Sequence, residues 1–285
     1  MHRKLALLRS LLLSLFLLVL VSSCSDQASE NQEASKSSGS GIDLQQIMER
    51  DTLNAITAYS STTYFIYRGK RMGYEYELLK RLADHLDVQL NIKLANDLDG
   101  LFEMLNSGEG DLIAYNLTVT PGRKNRAAFT KPHNYVKQVL VQRKPEDWRY
   151  MRASQLNKHL LSDPVNLDGD TVHIRYNSAY YERLKNLEKE ISGDIHIVQA
   201  EPEVETEELI KRVAEGKIDY TVADDNIAKI NQTYYNNIDV STELSFSQKI
   251  AWAVPKGAPK LLDTLNYWIS SVKGTRDYNV LYSKY

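Results

Sequence analysis

An arginine follows a threonine-rich turn in the run Thr118-Val119-Thr120-Pro121-Gly122-Arg123. A guanidinium offers a planar fork of donors and grips a carboxylate through two parallel hydrogen bonds. The hydroxyls of Thr118 and Thr120, and the N–H groups of the Thr-Pro-Gly turn, can point at the same anion. If that anion is one end of a zwitterion, the other end needs an acid. Asp224, which closes the run Thr221-Val222-Ala223, is the candidate, with Asp225 as the alternative. Asp224 is equally placed to cap the helix that follows. The chemistry implied is recognition of a small polar molecule.

Strands and helices in alternation must hold these groups. Arg123 lies just past Leu112 to Tyr115, an apolar run bounded by Gly110 and Asp111, which reads as a buried strand. Before it come a strand from Leu53 to Tyr59, a helix from Gly73 to about Leu86, a strand from Val88 to Leu94 and a helix from Leu98 to Leu105. Tyr74, Leu78, Leu79 and Leu82 recur at helical spacing. Strands and helices in this order predict a parallel sheet with right-handed crossovers, which binds ligands beyond the carboxyl ends of its strands. Tyr59, Thr118 and Arg123 fall at that edge. A further strand is predicted over Tyr135 to Gln142. After Lys144-Pro145-Glu146-Asp147 a second α/β unit follows, with strands at Thr171–Tyr176, Ile195–Val198 and Ile218–Ala223 and helices at Ser178–Ile191 and Val204–Ala214. A strand ending at Val254 and a helix from Leu261 to Val272 close the chain. Arg175 either reaches a ligand side chain or is a surface charge. Glu75 and Glu77 are not a glycosidase pair, because residues i and i+2 on a helix point different ways.

The Thr-x-Thr-Pro-x-Arg segment, together with Gly73-Tyr74-Glu75-Tyr76-Glu77-Leu78, resembles the family 3 solute-binding proteins, periplasmic receptors for polar amino acids. The resemblance implies a two-lobed type 2 periplasmic-binding-protein fold with a hinge and an interlobe ligand cleft. It implies that Thr118 and Arg123 hold an α-carboxylate and that Asp224 receives an α-ammonium. Ser178, at the turn Arg175-Tyr176-Asn177-Ser178-Ala179, would add a carboxylate contact at a helix N-terminus. Asn116 stands where the family often has Gly. Tyr64 or Phe65, in the loop starting at Ser60, would stack over the ligand. Lobe 1 is expected over about 51–143 and 245–285 and lobe 2 over about 144–244, with crossings near Gln142–Lys144 and Ser241–Ser247.

The stretch from Asp51 onward also resembles the N-terminal module of the membrane-bound lytic murein transglycosylase F family, on Thr52-Leu53-Asn54-Ala55-Ile56-Thr57 and Asp219-Tyr220-Thr221-Val222-Ala223-Asp224. That likeness implies sensing of amino acids or muropeptides, alone or beside a transglycosylase domain. An amino-acid ABC transporter receptor, partnered with a permease, is the alternative. The Glu-Ser and Gly-Leu-Met-Gln motifs of the catalytic domain do not occur in the sequence, so no enzyme activity is expected of this chain.

The N-terminus adds an address. Arg3, Lys4 and Arg9 precede an apolar run, and Val21-Ser22-Ser23-Cys24 resembles a lipobox. Residues 1–23 read as a lipoprotein signal peptide, with Cys24 the lipidated residue, and 24–41 as a flexible polar linker. The expectation is a lipid-anchored protein of the cell envelope, on the periplasmic face of the outer membrane. A net charge of -2 points away from nucleic acid. The six histidines show no metal-ligand spacing and no phosphate loop is present, so neither metal nor cofactor is expected.

Overall fold

The computed structural model describes residues 42–285. The expected signal peptide, Cys24 and the expected linker lie outside the described residues. The chain runs through α1 (Leu44–Glu49), β1 (Thr52–Thr57), a hairpin of β2 (Phe65–Tyr67) and β3 (Lys70–Met72), α2 (Tyr74–Leu86), β4 (Gln89–Leu94), α3 (Leu98–Asn106), β5 (Leu112–Ile113), the single turn α4 (Pro121–Lys124) and β6 (Ala128–Phe129). It continues through β7 (Asn134–Val136), β8 (Gln138–Arg143), α5 (Ala153–Leu156), β9 (Thr171–Ile174), α6 (Ala179–Ile191), β10 (His196–Gln199), α7 (Thr206–Ala214), β11 (Tyr220–Asp224), α8 (Asp225–Tyr234) and β12 (Ile238–Glu243). It ends with β13 (Gln248–Ile250), β14 (Ala253–Val254), α9 (Pro259–Val272) and α10 (Arg276–Lys284).

Two five-stranded sheets form, in the orders β4-β1-β5-β14-β6 and β10-β9-β11-β8-β12. The first three strands of each are parallel. The fourth runs antiparallel to its neighbours. Both faces of each sheet are apolar and covered. Leu53 and Ala55 pack with α2, through Leu78, Leu79 and Leu82, and with Trp252 and Leu265 on one side of the first sheet. Ile56 and Ile113 pack with α3, through Leu101, Phe102 and Leu105, on the other. Fully burying each of these leucine, isoleucine and phenylalanine side chains stabilises the fold by roughly 1.5–3 kcal/mol. Two further clusters cover the faces of the second sheet.

The fourth strand of each sheet lies next to a crossing between lobes. β8 enters the second sheet directly after β7, and β14 enters the first sheet directly after β13. This corrects the expected boundary. Gln138–Arg143 belongs to lobe 2, not lobe 1, because its residues Val139, Leu140 and Val141 are buried between β11 and β12. The crossing lies near Lys137. The strand expected to end at Val254 is also interrupted: β13 pairs with β7 while β14 pairs with β5 and β6. The helix α10 lies beyond the elements expected from the sequence, and its Tyr278 and Leu281 extend the first core cluster. Among the described residues, no helix is long and apolar enough to cross a membrane.

Candidate functional site

The arm from lobe 1 starts at a buried acid. Asp111 accepts the Asn54 N–H at 2.7 Å and pairs with Arg50, which fixes the start of β5. Gly110 precedes it because a Cβ there would lie 2.3 Å from the Ile56 side chain. Beyond β5 the chain runs alongside β13: Thr118 bridges to Ile250, and the Val119 N–H donates to Lys249 O at 2.9 Å. The Thr-Pro-Gly turn is one turn of helix, with Pro121 at its first position and Thr120 capping it by accepting the Arg123 N–H at 3.3 Å. The Arg123 guanidinium folds back to donate to Thr118 O at 2.9 Å and reaches across to Asn177 O at 3.4 Å.

The arm from lobe 2 comes from the ends of β9 and β11. Asn177 takes a left-handed φ of 50°, and Ser178 sits at the cap of α6 with its hydroxyl donating to Arg175 O at 2.7 Å. Asp224 is the last residue of β11, and its N–H donates to the Tyr180 hydroxyl at 3.1 Å.

The arms touch. The Asn116 amide donates to Asp224 Oδ2 at 2.7 Å. Arg175 donates to the Tyr115 hydroxyl at 2.6 Å and to Glu205 at 2.5 Å. Ser61 donates through both N–H and hydroxyl to Glu207, at 2.8 and 2.7 Å. Between the arms lies a cavity of about 30 Å³ bordered by Asn116, Thr118, Arg123, Arg175, Ser178 and Asp224. Six of the eight candidate binding residues therefore meet at one place.

Tyr64 and Phe65 do not line this cavity. The loop closes through a bridge between Ser60 and Tyr64, which leaves residues 61–63 at its tip and Tyr64 in its stem. The Tyr64 ring packs between those of Tyr59 and Tyr76, with centroids 5.6 Å away in both cases. Phe65 meets the edge of Tyr285. Thr62 and Thr63 face the cleft instead. Sequence reasoning also missed Tyr115, Tyr180 and Glu205. Tyr115 ends the run from Leu112, but an apolar run carries no sign that its hydroxyl meets an arginine of the other lobe. Glu205 precedes α7, where an acid reads as a helix-end charge.

The electrostatics are those of a desolvated ion-pair site. Burial pushes the Asp224 carboxyl up to about 7, Asp225 adds to the rise, and Arg123 and the Asn116 bond pull against it. Burial lowers Arg123 to about 10, with Asp224 acting in the opposite sense. Arg123 is only partly covered as a residue, and it is a cation at neutral pH in either case. Burial works against the charge on Arg175, but Tyr115 and Glu205 reverse the balance and hold it above the ordinary range. Burial pushes Glu205 up to about 7 against the pull of Arg175. A lone cation and a lone acid that sense each other across one cavity suit a ligand carrying both charges.

A pH effect follows. Folded Asp224 keeps its proton up to about pH 7, whereas its ordinary value is 3.8. Between those values the folded chain binds more protons than the unfolded chain, so this group's contribution to stability falls as pH rises and is lowest above about 7. Asp224→Asn should remove that decline, giving a flatter melting-temperature profile than the parent between pH 5 and pH 8. Superimposable profiles would show the carboxyl to be solvated.

Among the described residues, no group of three or more His, Cys, Asp or Glu could hold a metal ion.

Comparison with known proteins places this geometry. Residues 53–285 match the sequence model of bacterial extracellular solute-binding proteins, family 3. Membrane-bound lytic murein transglycosylase F from Desulfosudis oleivorans (strain DSM 6200 / JCM 39069 / Hxd3) is 34% identical over 242 residues, which are 85% of this chain and 50% of the relative. The chain thus spans about half the length of that relative. An ancestral arginine-binding protein bound to arginine superposes with a TM-score of 0.68 at 23% identity, over 82% of this chain and 98% of that one. The substrate binding protein of an amino acid ABC transporter gives 0.68 at 22%, over 82% and 98%. At such identities the two structures speak to the fold, which is the two-lobed type 2 periplasmic-binding-protein fold. With its match running from β1 to the last residue, the chain belongs to the bacterial extracellular solute-binding proteins, family 3.

Proposed function

We propose that this protein is a ligand-binding module for amino acids or peptidoglycan-derived peptides, acting as a sensor like the binding half of a lytic transglycosylase. The observation that carries the reading is the convergence of Arg123 and Asp224, from opposite lobes, on one cavity. Arg123 takes the α-carboxylate with Thr118 and Ser178, and Asp224 takes the α-ammonium with Asn116. Arg175, locked by Tyr115 and Glu205, is the rigid wall behind them. An incoming ammonium favours ionised Asp224. Affinity for an ammonium-bearing ligand should therefore rise with pH to about 7 and then level off.

The module is proposed to sit in the cell envelope, anchored through lipid on Cys24 and facing the periplasm at the outer membrane. Labelling with a lipid precursor, lost in Cys24→Ala, tests the anchor. No glycan cleavage is expected of the chain alone. One preparation of the 285-residue protein addresses both binding and catalysis. A thermal-shift screen of amino acids and muropeptides should give stabilising hits, and a murein zymogram should stay uncleared. A cleared band, or a screen without hits, would refute the corresponding half of the reading. A second reading, supported by the transport-receptor likeness, is delivery of an amino acid to a permease. Ligand-dependent uptake with a reconstituted permease would favour it over sensing.

A further inference from the structure

A small hairpin stands apart from both large sheets. Among the described residues its strands, β2 and β3, pair only with each other, Ile66 opposite Arg71 and Tyr67 opposite Lys70. Arg68 and Gly69 turn it with φ of 50° and 74°, the two positive values that a tight two-residue hairpin turn takes. The core leaves its side chains outside. Ile66 is 55% exposed and Tyr67 53%, and Arg68, Lys70 and Arg71 are exposed beside them. The hairpin therefore presents an apolar tip ringed by cations.

The cations extend onto α2. Arg71 shares a shallow concavity of about 270 Å³ with Lys80 and Arg81, which are exposed on that helix. Two acids border it. Glu77 is already committed, since it pairs with Lys284 and accepts the Tyr285 hydroxyl at 2.5 Å, which leaves Asp84. Among the described residues none of Arg68, Lys70, Arg71, Lys80 and Arg81 forms an ion pair; Arg68 instead lies 5.2 Å from the centroid of the Tyr67 ring. Five uncommitted cations thus face one uncommitted acid. The net charge of the whole chain is -2, so this excess is local and not the share of a generally basic protein.

Cations alone would suit any polyanion. An acidic peptide or glycan would use them and leave Ile66 without a partner. A bilayer with anionic headgroups supplies both complements: phosphates for the cations and, just beneath, hydrocarbon for an isoleucine and for the ring of a tyrosine whose hydroxyl stays wet. The long stems of Lys80, Arg71 and Arg81 can lie along apolar surface while their charged ends meet phosphate. We propose that the β2–β3 hairpin and the adjoining exposed face of α2 dock on an anionic phospholipid surface, with Ile66 and Tyr67 seated among the headgroups and Arg71, Lys80 and Arg81 around lipid phosphate. Lobe 1 then rests on the membrane and lobe 2 is the one that swings. The inference is independent of what the clamp binds.

Residues 42–285 hold both five-stranded sheets and the four core clusters, so this segment folds by itself, and using it keeps the apolar N-terminal run away from the lipid. The experiment is co-sedimentation of that segment with vesicles of phosphatidylcholine alone and with vesicles containing about one third phosphatidylglycerol. Binding to the anionic vesicles should be at least about tenfold tighter, and added salt should weaken it. Replacing Arg71, Lys80 and Arg81 together by alanine should cost roughly a hundredfold, at about fivefold per residue. Ile66→Ser should cost roughly threefold or more on the same vesicles, because it removes the apolar group at the tip. All four side chains are exposed, so melting curves of the variants should match the parent; Lys80→Glu alone serves if the triple variant fails to fold. Equal binding to the two vesicle types, or none to either, would overturn the proposal. So would a triple variant that binds as the parent does, or an Ile66→Ser variant with unchanged affinity, which would make the contact purely ionic. Sedimentation with isolated peptidoglycan but not with vesicles, lost in the triple variant, would assign the surface to that polymer instead.

Discussion

Arg123→Ala is expected to weaken carboxylate ligands by at least about 30-fold, because truncating one member of a buried charged pair costs about 2–5 kcal/mol. The loss has two sources. The ligand carboxylate would enter a desolvated cavity without its cation, and Asp224 would lose the charge that draws its carboxyl toward ionisation. Affinity for an ammonium-bearing ligand should therefore fall further at pH 6 than at pH 8. The free protein should melt nearly as the parent does, since among the described residues the Arg123 guanidinium donates only to the Thr118 and Asn177 carbonyls. Calorimetry at the two pH values, beside melting curves without ligand, checks each part. An unchanged dissociation constant would make Arg123 a surface charge, and a collapsed melting temperature would make it structural.

Gly73→Ala is expected to destabilise the fold by about 3 kcal/mol or more, over a hundredfold in the folding equilibrium. Gly73 holds φ at 128° and ψ at 149°, a backbone conformation that side-chain-bearing residues rarely adopt. A Cβ there would also lie 2.2 Å from the Thr63 carbonyl oxygen, and that neighbour is backbone, so no rotamer change relieves it. The two segments are tied at this point: the Tyr74 N–H donates to Thr62 O at 2.7 Å and the Tyr76 N–H to Thr63 O at 3.3 Å. The damage would displace the loop that presents Thr62 and Thr63 to the cleft. Urea unfolding should show a lower midpoint at an unchanged slope. A midpoint equal to the parent's would mean that the helix start relaxes freely and that the close approach is unimportant.

Local pattern made most of the framework legible. The spacing of Leu78, Leu79 and Leu82 marks the buried face of α2, and Leu101, Phe102 and Leu105 mark that of α3, because burial imposes the helical period directly. The Gly110-Asp111 step was visible as a boundary, and its reasons, the Ile56 side chain and the Asn54 N–H, are contacts with the neighbouring strand. What escaped was set by partners distant in sequence. Val139-Leu140-Val141 announces a buried strand, but an apolar run carries no mark of which sheet will bury it. The direction of the loop at Ser60 depends on a bridge that closes the loop, so the aromatic pair drew attention that belonged to Thr62 and Thr63. Arg175 could be read either way because its partners, Tyr115 and Glu205, lie 60 and 30 residues away.

The pairing of β7 with β13 sets how the lobes can move. Two separate tethers would let one lobe swivel and shear against the other. Here Gln248, Lys249 and Ile250 are registered against Val136, Tyr135 and Asn134, so the tethers form a single ribbon. A laterally bonded ribbon resists in-plane shear and bends mainly about the axis across its width. It has the form of a flexure with one soft coordinate, which favours a single alignment of the two halves of the site. Asn134 lies on this ribbon and also borders the cleft that Thr62 and Thr63 face, so the ribbon forms part of the wall between the lobes.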